Sequence, residues 1–182
     1  MEIHSKNIKK IIFISLLLIV FVILMYGWNY YDKYHIKPSE ENVKTFIEEF
    51  SGNKVKVLNF EQIEDTNIWL YQLEFKEVKF GHAKFQKGWN NNFKFIYLKT
   101  NPTITYEEYN TNKGKYGVIF VNNLDENISK IKVTSQLKNF QTEINTSVSK
   151  TFIKTFKLPN NVENTSPATF ELYDKNENLY NN

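Results

Sequence analysis

The chain has 182 residues with 23 lysines, 20 acidic residues and a formal net charge of +3, and it contains neither arginine nor cysteine. Without cysteine there is no disulfide, thiolate metal site or cysteine nucleophile. Without arginine there is no bidentate fork for guanine or phosphate, so with this small charge excess nucleic acid is not expected as a partner.

Residues 11–28 run from Ile11 to Trp28 as 18 positions without a charged side chain. At about 1.5 Å per residue they extend roughly 27 Å, close to the hydrocarbon core of a bilayer, about 30 Å. The hydroxyl of Ser15 can bond a carbonyl one turn back. Tyr26, Trp28, Tyr30, Tyr31 and Tyr34 cluster at the far end, where amphipathic rings favour the membrane–water boundary. The exit Met25-Tyr26-Gly27-Trp28 is too bulky for a signal-peptide cleavage site, so an uncleaved anchor is expected. Lys6, Lys9 and Lys10 precede the span, and Lys33 and Lys37 follow it. That bias predicts residues 1–10 as a cytoplasmic tail and the bulk of the chain outside the cell membrane.

Residues 29–38 read as a polar juxtamembrane linker ending at Pro38. Ser39 then offers an N-cap, and Glu40 and Glu41 suit the first turn of a helix. Val43, Phe46, Ile47 and Phe50 recur with the spacing of one buried helical face, and Gly52 can end the helix in the left-handed conformation. Beyond it the chain reads as strands at 54–63, 68–76, 78–87 and 93–99. Val55, Val57 and Phe60 mark the first, and Trp69, Tyr71, Leu73 and Phe75 share a face of the second. Val78, Phe80, Ala83 and Phe85 carry the third, and Lys87-Gly88-Trp89-Asn90-Asn91-Asn92 turns into the fourth. Residues 39–100 are therefore expected as a helix across a four-stranded antiparallel meander.

Asn101-Pro102 breaks the pattern. Further strands read at 103–109, 116–121, 128–133, 140–144, 152–158 and 169–173. Residues 116–121 are apolar on both faces, as in a central strand. This spacing, with Asn, Gly and Pro turns, predicts a small immunoglobulin-like β-sandwich over residues 101–182. The whole is expected to be α+β.

Three stretches carry a resemblance: residues 87–95, residues 109–123 and Phe170-Glu-Leu-Tyr-Asp-Lys-Asn-Glu-Asn178. The chain resembles uncharacterised single-pass membrane proteins of Bacillus and related Firmicutes over roughly residues 75–180. The resemblance implies an exported, anchored β-rich domain and brings no catalytic residue with it. Related chains often carry Gly where Glu177 stands, which bears on turn geometry.

No catalytic, cofactor-binding or metal-ligating residue is assigned, and no cofactor is expected. Of His4, His35 and His82, only His82 lies in a strand. It has no second histidine nearby and reads as facing solvent or bonded to a carbonyl. Asp174-Lys-Asn-Glu-Asn178 starts like a calcium loop, but its sixth position is Leu179 rather than Gly, so a plain turn is preferred. Glu40-Glu41 and Glu48-Glu49 do not face each other on a helix. Glu107 and Glu108 should point to opposite faces of a strand. Trp89 reads as a hydrophobic plug at the sheet end, with an exposed sugar or protein contact as the alternative. The expected role is a non-enzymatic interaction or envelope module. It would be held in the lipid bilayer by residues 11–28, with an envelope protein or wall polymer as partner. The alternatives are an anchored enzyme acting on wall polymer and an immunity or inhibitor protein against an extracellular toxin.

Overall fold

The computed structural model describes residues 2–76, 79–122, 124–137, 140–146, 150–162 and 164–180, with residues 2–9 described through the backbone. Val78, placed in a strand above, falls outside them. The architecture is α+β: an N-terminal apolar helix, a second helix and antiparallel sheets.

Helix α1 spans Glu2–Lys33. Its stretch Lys10–Lys33 is 24 residues long, packs against nothing over its apolar window, and is long and apolar enough to cross a membrane. The helix continues past Trp28 through half of the expected linker. The linker's other half is tied down as well. Ile36 is only 5% exposed and pairs with Phe93, exchanging backbone hydrogen bonds of 3.2 and 2.7 Å.

Helix α2, Glu40–Ser51, starts as its sequence dictates. The Ser39 hydroxyl accepts from the Asn42 N–H at 3.3 Å. Gly52 ends the helix at φ 67°, donating its N–H to the Glu48 carbonyl at 2.9 Å. A left-handed backbone costs glycine little and other residues about 1 kcal/mol or more. Val43 and Ile47 are fully buried, whereas Phe50, expected on the same face, is 59% exposed. The last turn lies at the margin of the sheet, where Phe50 meets the Phe95 ring at 4.6 Å and the Phe46 ring at 6.1 Å.

The first sheet runs β1 (Val55–Gln62), β2 (Ile68–Phe75), β3 (Lys79–Lys87) and β4 (Phe93–Asn101) in that order. Tyr71, Leu73, Ala83, Phe85 and Phe93 face α2 and form one core cluster with Val43 and Ile47. Each edge strand carries a β-bulge, at Leu58 in β1 and Ile96 in β4. A bulge inserts one residue and reverses which alternate positions face a given side. In β4, Phe93 and Phe95 therefore join the helix-side core, while Tyr97 and Lys99 turn to the opposite side beside Lys84 and His82.

Two residues link β4 to β5 (Ile104–Thr111). Then follow β6 (Gly114–Val121), β7 (Ile128–Ser135), β8 (Gln141–Asn145), β9 (Phe152–Lys157) and β10 (Ala168–Asp174). They make two three-stranded sheets, β5-β6-β9 and β10-β7-β8. Ile68 and Leu70 of the first sheet share a core with Tyr116, Val118 and Phe120 of β6. Ile119 and Val121, on the other face of β6, share one with Ile131 and Val133 of β7. Strand β6 is thus buried on both faces between neighbouring layers, in keeping with its unbroken apolar run. Gln72, fully buried, fastens the first two sheets by donating to the Val121 carbonyl at 2.6 Å and to Asn122 Oδ1 at 2.7 Å.

Candidate functional site

The bulge at Ile96 prepares the most concentrated polar chemistry in the molecule. It delivers Tyr97 and Lys99 to the face where β4 meets β5, and Glu107 arrives from β5. Glu107 Oε2 accepts from the Tyr97 hydroxyl at 2.6 Å and the Tyr109 hydroxyl at 2.7 Å. The Lys99 ammonium donates to Oε1 at 2.6 Å. The two hydroxyls also lie 2.6 Å apart. Two protons cannot serve three contacts, so they are shared around a triangle of oxygens.

His82 closes the cluster from beneath. It is fully buried, stacked on Phe120 at 4.1 Å with Tyr97 edge-on. Its Nδ1 lies 2.8 Å from Asn101 Oδ1. Its Nε2 lies 3.1 Å from Glu107 Oε2 but off the line of a hydrogen bond, so that contact is electrostatic. Of the two expected settings, solvent or a carbonyl partner, the structure has the second, the Asn101 side-chain carbonyl, because the second sheet covers this face. Burial pushes the Glu107 carboxyl up, but His82, Lys99 and Tyr97 outweigh it and hold the group well below the usual carboxylate range. Burial, with hydrogen bonding to Glu107, raises the Tyr97 hydroxyl far above its ordinary value.

The cluster forms the floor of an open groove of about 570 Å³, with Asn164 and Ser166 on its opposite rim. Lys84 lies in it, its ammonium 4.9 Å from the centre of the Tyr109 ring. That is a cation–π contact, and among the described residues Lys84 makes no ion pair. Burial lowers its pKa, with Lys99 acting the same way and Glu107 in opposition. Glu108, next along β5, points the other way. It accepts from the Thr165 N–H and hydroxyl and from the Ser166 N–H, ahead of β10.

The remaining sequence candidates are dispersed. The His4 side chain lies outside the described residues. His35 Nδ1 bonds the Asp32 carbonyl at 2.6 Å. Glu48 pairs with Lys54 at 2.7 Å and accepts from the Val55 N–H at 3.1 Å. Asp174 satisfies itself locally: its Oδ1 accepts from the N–H groups of Asn176 and Asn178 at 2.8 and 2.9 Å. Among the described residues no three His, Asp or Glu side chains are placed to hold a metal ion.

Trp89 is not a plug in the sheet end. It is 69% exposed and stacks on Tyr30 of α1 at 4.6 Å, with Tyr31 edge-on at 5.6 Å. The Trp89 N–H donates to the Tyr30 hydroxyl at 2.7 Å. Asn90 and Asn92 donate their side-chain amides to the Tyr34 carbonyl at 2.9 and 3.3 Å. The β3–β4 turn therefore clasps the end of α1. Periodicity could not place either the Glu107 cluster or this joint, because each unites segments that are distant in sequence. No known protein family, curated protein or solved structure matches this chain.

Proposed function

We propose that this is a single-pass membrane protein whose β-rich part is a non-enzymatic interaction or envelope module on the outer side of the cell membrane. Residues 11–28 serve as an uncleaved anchor, and the amino terminus is cytoplasmic. The observation that carries the reading is the state of the groove floor. Both carboxylate oxygens of Glu107 are taken by internal donors, and His82 is sealed beneath it. Such a network of internal bonds ties the β4 and β5 layers together. Lys84, by contrast, makes no ion pair among the described residues, although the Glu107 carboxylate lies near enough to oppose the fall in its pKa. The groove thus suits an anionic or carbonyl-rich segment of an envelope protein or wall polymer.

An immunoglobulin-like fold for the second unit is part of the proposal. The strand order supports it. The unit's first, second and fifth strands share one sheet, and its third, fourth and sixth share the other. Strands A, B and E against C, C′ and F of an immunoglobulin domain divide the same way.

Two measurements test this reading. Crosslinking on intact cells through the groove, followed by pull-down, should recover a specific envelope partner that Lys84→Glu no longer captures. Capture unaffected by Lys84→Glu would sink the groove as the contact. Protease added to intact cells should digest the domain; a shielded domain would reverse the orientation.

A further inference from the structure

The β3–β4 turn has a geometry that a simple tether does not require. Tyr34 and Trp89 both stack on Tyr30, at 4.5 and 4.6 Å. One ring face cannot hold two stacked rings side by side at such small offsets, so they occupy its two faces. Tyr34 lies one helical turn to the domain side of Tyr30. Trp89 therefore lies on the side of the apolar run.

The run of residues 11–28 ends two positions before Tyr30, roughly 3 Å along the axis. The headgroup zone adds roughly 5–7 Å per leaflet beyond the hydrocarbon core. A ring on the membrane side of Tyr30 falls within that zone. Trp89 keeps 69% of its surface uncovered there, and on α1 Trp28 is 81% and Tyr31 54% exposed. Exposed indole rings at this depth are the side chains that favour the bilayer boundary. The turn cannot swing away freely. Ile36 pairs with Phe93, and Gly88 is so close to the Tyr30 hydroxyl and Tyr34 ring that a Cβ would collide with both.

We infer that the β3–β4 turn is a second membrane contact: Trp89 seats in the lipid headgroup boundary beside α1 and holds the β-rich part in one attitude to the bilayer. This rests on the membrane reading of residues 11–28, and the test separates the two. The full chain is reconstituted in phosphatidylcholine–phosphatidylglycerol vesicles containing lipid brominated near the headgroup. Emission is compared between Trp28→Phe and Trp28→Phe/Trp89→Phe; Trp69 is common to both. The expected result is clear quenching in the first variant and little in the second. Equal quenching overturns the seat. Because the chain has no cysteine, a spin label on Leu18→Cys reports the span independently. A label reached by oxygen but not by a water-soluble nickel chelate upholds the span. A label fully reached by the chelate overturns the span, and the seat with it.

Discussion

Glu107 and Glu108 are neighbours in β5, and their carboxylates bond to different layers of the molecule. Glu107 reaches back to Tyr97 and Lys99 of β4 and also bonds Tyr109 of its own strand, while Glu108 reaches forward to the Thr165–Ser166 segment. The alternation of a strand sends consecutive side chains to opposite faces. As strand alternation predicts, the two adjacent carboxylates form two separate clasps, and β5 is the seam between layers.

Glu107→Gln should destabilise the domain by about 2–4 kcal/mol, because the buried donors around it lose their charged acceptor. Chemical denaturation of the protein in detergent measures this. Glu107→Ala should cost more.

The same residue sets an acid dependence. Its carboxyl is held below the usual range in the folded state. Its stabilisation is therefore complete above the unfolded glutamate value of about 4.3 and is lost as pH falls below it. Wild-type melting temperature should drop more steeply than that of Glu107→Gln between about pH 5 and pH 3. Parallel melting curves would remove Glu107 from the account.

Phe120→Ala should cost about 3–5 kcal/mol. Phe120 is fully buried on the face of β6 that meets the first sheet, and the His82 ring rests on it. A cavity there unseats both the apolar core and the polar cluster, so the loss should exceed that of Ile153→Ala, measured by the same denaturation.

Gly88→Ala should loosen the joint between α1 and the β-sheet, since the new methyl group meets the Tyr30 hydroxyl and Tyr34 ring. Overpacking of this kind costs about 1–3 kcal/mol. Limited proteolysis at residues 34–38 should speed up about ten-fold for each 1.4 kcal/mol of docking lost. An unchanged rate would show that the turn does not hold the linker.

Glu177→Gly should stabilise the last turn by up to about 1 kcal/mol. Glu177 sits at φ 63°, a backbone that glycine adopts at little cost. The exposed contact to Lys130, at 3.2 Å, offsets little of that gain. Thermal melting of the variant checks the sign.

Local pattern alone determined much of this protein. The uncharged run of residues 11–28 required a helix with no polar face. Ser39 and Gly52 bounded α2, and alternation with turn residues located all ten strands within a few positions, including β6, whose apolar run marks a strand buried on both sides. These features depend on neighbours in the chain, where periods of 3.6 and 2.0 are set by backbone geometry. Only the tertiary structure decided what faces what. The bulge at Ile96 moved Tyr97 and Lys99 across the sheet, and the second sheet sealed His82 against Phe120. Trp89 reached Tyr30 across 59 residues. Such contacts follow from register and from the stacking of layers, and no local periodicity encodes them.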